Sequence, residues 1–360
     1  MMNPDWRFWA PSGEVYSGGP SKCFEIHISN DGDLISTSSN PDDDKTQAVN
    51  YPPLARIDKP DSVKTIRRRD LRELDRPPPP RHVDKVAYTE SVPRGSTHRS
   101  LIFKYAPVHE YLCARWDEVN ISTRLPPHPN IVPFDRIVIE ELQGRPVVVG
   151  FTSHFIQGDI FFDNISRVFK LSHLKQLMGV VDDLNLKYGL SHQDVAPRNL
   201  LIDEATGNLI LFDFNYTMRI GCGPRGGHLR YREVQNDVKG VIFTLHEIIT
   251  RDGHFRKVDH AEQNPDGVLK METWPKHPDV NLDHPVADYR PALSEWSRAR
   301  EAGPKATMYT DTPEYIEWPD IGEPPEDCVV RFEEYPADHP LNSPMWGYPR
   351  IHARTSGLDV

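Results

Sequence analysis

Cysteine is scarce. The four in this 360-residue chain, Cys23, Cys113, Cys222 and Cys328, stand far apart with no C-x-x-C spacing. That argues against a disulfide scaffold or a thiolate zinc site, and free thiols suit a reducing compartment. Long apolar runs are absent too: none approaches 18 residues, and Met1–Trp6 has no apolar signal-peptide core. A cytoplasmic protein with no membrane partner is therefore expected. Positive charge is in deficit, 42 Lys and Arg against 53 Asp and Glu, for a formal net charge of −11. A nucleic-acid partner would need clustered cations. The basic run Lys64–Arg69 is the exception, but Asp70, Glu73 and Asp75 follow at once, and the segment reads as a solvated helix.

Proline is in excess. The 34 prolines stand well above the roughly 5% of an average protein. They lie largely in the first 130 and last 60 residues, which predicts loop-rich ends around a regular middle. Residues 1–85 read as an N-terminal extension. Within it, Cys23–Ser29 alternates apolar and polar residues, Asn30-Asp31-Gly32 is a turn signal and Asp33–Thr37 a return strand. Pro77–Pro80 is a stiff polyproline spacer.

Residues 86–157 predict strands around one helix: Val86-Ala87-Tyr88, Leu101–Tyr105, a helix over 110–125, then Ile137-Val138-Ile139 and Val147-Val148-Val149 about a turn at Gln143-Gly144. Residues 166–250 are mainly helical with one hairpin inside, and beyond 250 Val286–Glu301 is the clearest helix. Leu171, Leu174, Leu177, Met178, Val181, Leu184 and Tyr188 keep helical spacing before a C-capping Gly189, and residues 238–250 form a mostly buried helix. Residues 302–360 are a proline-rich tail. The fold class is α+β, a small β-rich part before a larger helical part with a cleft between them.

The chemistry concentrates between the helices. Leu200–Asp203 and Leu209–Phe212 are short apolar strands about the turn-forming Glu204–Asn208. An antiparallel hairpin brings the start of its first strand beside the end of its second. Asn199 and Asp213 thereby become neighbours, hard oxygen donors of the kind that suits Mg²⁺. Asp194, five residues before Asn199, can reach the same spot without joining the metal. One carboxylate for the attacking hydroxyl and a metal for the phosphates is an arrangement for phosphoryl transfer.

With His192-x-Asp194-x-x-x-x-Asn199, Asp213-Phe214-Asn215, His128-Pro129-Asn130-Ile131-Val132 and Asp237–Thr250, the chain resembles the protein-kinase superfamily over roughly residues 86 to 300, nearest to the divergent kinase-like proteins of filamentous fungi. The resemblance implies a bilobal kinase fold, with 86–157 as the N-lobe and 158–301 as the C-lobe, and the cofactors ATP and Mg²⁺. It implies Asp194 as catalytic base, a role typically contributing about 10²–10⁴-fold. Arg198 becomes a cation near the transferred group, or a brace for the loop. Asn199 and Asp213 become metal ligands, Lys104 the phosphate contact and Glu118 its partner, with Glu110 as competitor. His192 and Asp237 become structural supports of the loop.

The pattern also breaks. No G-x-G-x-x-G precedes Lys104, and the matching turn Ser91–Thr97 has one glycine. Asn215 replaces the last Gly of D-F-G. Gln193 replaces the Arg that receives an activation-loop phosphate, so conventional activation by phosphorylation is not expected. Only 23 residues separate Asp213 from Asp237, without A-P-E. The leading expectation is an atypical ATP-dependent protein kinase. The alternatives are a pseudokinase that binds nucleotide or acts as a scaffold, and a small-molecule phosphotransferase. Ala196 and Arg198 resemble the tyrosine-kinase arrangement, but the acceptor protein, its hydroxyl type and the oligomeric state stay open.

Overall fold

The computed structural model describes residues 51–75, 83–92, 95–106, 112–142, 144–161, 167–222 and 235–321, and the backbone of three strands nearer the N-terminus. These are β1 (Arg7–Trp9), β2 (Phe24–Ile28) and β3 (Leu34–Ser38), an antiparallel sheet in which β2 is central. The turn at Asn30-Asp31-Gly32, the tetraproline, Gln143 and the chain beyond 321 lie outside the described residues.

The chain is mixed α+β. Its main sheet has six strands: β4 (Lys64–Arg67), β5 (Arg72–Asp75), β6 (Val83–Val92), β7 (Gly95–Tyr105), β8 (Phe134–Leu142) and β9 (Arg145–His154), in the order β4-β8-β9-β7-β6-β5. Only β4, which is parallel to β8, departs from antiparallel pairing. The β-branched runs around Ile137 and Val148 account for the central strands, and seven consecutive residues of β9 are buried. The basic run at Lys64 corrects the expectation of a solvated helix. Ile66 is buried on β4 while Arg67 points outward, so period-2 pairing at a sheet edge holds the segment extended. Two strands of the main sheet, β4 and β5, thus come from within residues 1–85, which read as an extension. Helix α1 (Leu112–Arg124) packs on this sheet, burying Leu112, Trp116 and Val119 against Phe103, Val138 and Phe151.

Downstream come β10 (Val168–Phe169) and α2 (Leu171–Asp182), which continues as a π-helical turn over Asp183–Lys187. Next are β11 (Leu190–Ser191), β12 (Leu200–Ile202), β13 (Leu209–Leu211) and β14 (Met218–Arg219). Then follow α3 (Asn236–Thr250), α4 (His254–Lys257), α5 (Pro265–Leu269), β15 (Asn281–Leu282) and α6 (Val286–Ala302). A second apolar core joins α2, α3 and α6 through Leu174, Leu177, Leu184, Leu245, Ile249 and Leu293. Helix α3 is buried nearly all round, as its apolar sequence predicts.

Residues 304–321 are held in place rather than loose. The backbone amide of Ile316 donates to Tyr188 O at 3.1 Å and that of Tyr309 to Ile220 O at 2.8 Å, while Ile316 and Trp318 are buried. Among the described residues no helix is long and apolar enough to cross a membrane.

Candidate active site

The β12–β13 hairpin sets the register of the site. Leu200 pairs with Leu211, and the Phe212 amide donates to Asn199 O at 3.1 Å, so Asn199 and Asp213 end on the same side. The His128–Val132 segment is tied to this hairpin: Asn130 Nδ2 donates to Leu209 O at 2.8 Å and the Leu211 amide to Asn130 O at 2.8 Å.

The loop 192–199 hangs from one buried carboxylate. Asp237, at the start of α3, accepts the amides of His192 (2.7 Å) and Gln193 (2.8 Å), and the Asn185 side chain at 2.8 Å. Gln193 takes a left-handed conformation, φ +70°, that the two amide bonds to Asp237 pin in place. Its side chain reaches back to Ser191 Oγ at 2.7 Å. His192 packs edge-on to Phe214 at 4.8 Å and lies 3.2 Å from Phe212 O. Asn185 was not read from the sequence, where a lone Asn in an amphipathic helix carries no signal.

Both oxygens of Asp194 are held. Arg198 donates to Oδ1 in a contact four residues along the chain, and Asn199 Nδ2 donates to Oδ2 at 2.7 Å and to Asp194 O at 2.8 Å. Arg198 therefore braces this carboxylate. With its amide nitrogen spent on Asp194, Asn199 keeps its amide oxygen for other contacts.

Lys104 on β7 supplies the opposite wall. Its Nζ lies 2.6 Å from Glu118 Oε1 and 2.6 Å from Asp213 Oδ1. The Lys104–Glu118 pair is buried, its residues being 8% and 2% exposed, so those charges must satisfy one another, while Asp213 is half-buried. Burial pushes the Lys104 ammonium down, but Asp213 and Glu118 beside it leave it above its ordinary value. Burial pushes the Asp213 carboxyl up, and Lys104 overrides that, holding it below the usual carboxylate range. Asp213 itself is left-handed, φ +68°, whereas Asn215 lies in a 3₁₀ turn over Phe214–Tyr216. The positive φ thus falls on Asp213, not on the residue that replaces the D-F-G glycine. Glu110, the competing partner for Lys104, lies outside the described residues.

Arg115, one turn before Glu118 on α1, is a further member that sequence reasoning missed; it donates to Glu118 Oε2. The i,i+3 spacing was its one available signal. Helix α1 is also gripped by the segment after α6. Trp116 Nε1 donates to Pro319 O at 2.9 Å and Trp318 Nε1 to Asp117 Oδ1 at 2.9 Å. Arg219 stacks on Trp318, 4.6 Å from its ring centre.

No family model matches the chain. It is similar to CBL-interacting protein kinase 5 of Oryza sativa subsp. japonica, with 31% identity over 117 residues. That stretch is 31% of this chain and 24% of the rice protein, so the chain spans about a quarter of the relative it matches. The likeness supports a kinase-like relation over that stretch.

Proposed function

We propose that the chain is an atypical ATP-dependent protein kinase with two lobes, transferring the γ-phosphoryl group of ATP to a protein hydroxyl. The observation that carries this reading is Lys104 Nζ at 2.6 Å from both Glu118 and Asp213, on the far side of a hairpin that presents Asn199 and the braced Asp194. Four residue types that phosphoryl transfer requires, brought from β7, α1 and the loops flanking β12–β13, converge on one place. The β-rich part with α1 forms the smaller lobe, the helices from α2 onward the larger, and the nucleotide lies between them.

In this reading Asp194 accepts the proton of the acceptor hydroxyl as its oxygen attacks the γ-phosphorus. Arg198 and Asn199 hold the carboxylate in place to receive that proton. Lys104, fixed by Glu118, contacts the α- and β-phosphates. The amide oxygen of Asn199 and the Asp213 carboxylate oxygen not taken by Lys104 fit Mg²⁺, which when bound neutralises charge on the phosphates.

A second reading, a module that binds nucleotide without transferring phosphate, is favoured by one observation. The β6–β7 pair stays in register out to Val92 and Gly95, so two residues connect the strands where kinases have a glycine-rich loop. Losing two or three backbone bonds to phosphate, at about 0.5–1.5 kcal/mol each, weakens binding without abolishing it. Purified protein with Mg²⁺ and γ-labelled ATP separates the two readings. Label in the chain itself or in a generic protein substrate is expected. A rise in melting temperature without label supports the second reading, and neither response contradicts both.

A further inference from the structure

A pocket of about 300 Å³ opens beside the loop that carries Asp194. Arg167, Arg198, Arg251, Arg256 and Lys257 line it, with Glu247 as the one carboxylate among its lining residues. A chain of net charge −11 has here gathered five cations, of which Arg256, Arg167 and Arg198 are ion-paired with Glu247, Glu204 and Asp194. Glu247 is matched by Arg256, whose Nε lies 2.7 Å from its Oε1, while Arg256 also donates to Thr244 Oγ1 at 2.8 Å. Arg167 is fixed by Ile202 O at 2.7 Å and Glu204 Oε1 at 3.0 Å. Arg251, at the left-handed end of α3 with φ +63°, and Lys257, at the end of α4, are exposed. The pocket is electrically continuous with the loop: burial pushes Glu247 up, and Arg198 as well as Arg256 pulls against it.

We propose that this pocket binds an anionic group, a carboxylate or a phosphoryl, on the polypeptide that presents its hydroxyl to Asp194. The assignment of that polypeptide as substrate rests on the kinase reading; the binding chemistry does not. Guanidinium groups suit both anions, because their forked donors match two oxygens at once. Charge complementarity at such a surface sets which partner docks and how quickly.

The test is fluorescence anisotropy on the full chain with three labelled peptides of equal length around one hydroxyl residue, flanked by Asp and Glu, by phosphoserine, or by Gln. The account predicts that at least one anionic peptide binds about tenfold tighter than the Gln peptide and that the preference shrinks with added salt. The two anionic peptides tell carboxylate from phosphoryl. Arg251→Glu with Lys257→Glu erases the preference; Lys257→Glu alone, at an exposed position, reduces it and serves if the double variant fails to fold. A preference for an anionic peptide in the natural chain, with no phosphate transferred from Mg·ATP to that peptide, counts against the kinase reading alone. Equal affinity for all three peptides, or a preference that survives charge reversal, overturns the proposal.

Discussion

Trp318 donates its indole Nε1 to Asp117 Oδ1 at 2.9 Å, joining residues 201 apart in sequence. The next residue after Asp117 is Glu118, which holds Lys104. The segment after α6 therefore fastens the helix on which the Lys104 pair depends. Trp318 is 6% exposed, and emptying such a site typically costs about 3–5 kcal/mol. Trp318→Ala should lower the melting temperature and weaken the response to Mg·ATP, whereas Trp318→Phe, which keeps the ring and loses the hydrogen bond, should fall between. Calorimetry with and without nucleotide checks this. A nucleotide response that Trp318→Ala leaves unchanged would separate the strap from the site.

Glu118 stands between two cations, Lys104 and Arg115. Removing its charge takes from Arg115 the carboxylate it pairs with and leaves Lys104 with Asp213 alone, while removing Lys104 leaves Glu118 still paired with Arg115. Glu118→Gln should therefore destabilise more than Lys104→Met, by about 3–5 kcal/mol. Urea unfolding of both variants gives the order, and the reverse order would refute the three-charge arrangement. Lys104→Met should nonetheless lose more of the Mg·ATP thermal shift.

Gly189 is required twice over. Its φ is +68°, and an added Cβ would lie 2.6 Å from Tyr309 O. Gly207 has φ +72° with nothing within 4 Å of the same atom. Gly207→Ala should then cost only the conformational penalty, about 1–2 kcal/mol, and Gly189→Ala distinctly more. Thermal melts of the two proteins measure the gap, and equal costs would mean that the chain at Tyr309 does not press on Gly189.

Two buried histidines set an acid limit. His246 packs edge-on to Phe255 and Trp274 at 5.3 and 5.2 Å, and His173 lies in the α2 region, 5.7 Å from the Phe169 ring. Burial pushes both below their ordinary value, which is about 6.5. A proton therefore prefers the unfolded chain, so their contribution to stability is full above about pH 6.5 and is lost as pH falls through the folded-state values. Glu247, raised by burial, acts in the opposite sense, since its carboxyl takes a proton more readily in the folded chain. Melting temperature should drop between pH 7 and 5, and less so in His246→Gln. A flat profile would contradict this.

Much of the site was legible because it is local. Asp194, Asn199 and Asp213 fall within 20 residues, and hairpin geometry alone makes the last two neighbours. Lys104 and Glu118 were placed by their order before the His128 turn, and the structure brings them to Asp213. What pattern could not reach was long-range pairing. A basic run reads as a solvated helix until β8 offers it an edge to pair with. Nothing near Trp318 signals that its partner is Asp117, and Asn185 acquires meaning only when the chain folds back to place Asp237 beside it. The positive φ at Asp213 was likewise hidden, since no local sequence pattern marks it.

The central claim is tested most directly by following γ-phosphate from labelled Mg·ATP into protein, comparing the natural chain with Asp194→Asn. The substitution keeps the size of the side chain and removes its ability to take a proton. The account predicts label in the natural chain, at least about a hundredfold less in the variant, and an unchanged Mg·ATP thermal shift in both. Equal labelling of the two proteins would show that Asp194 is not the base.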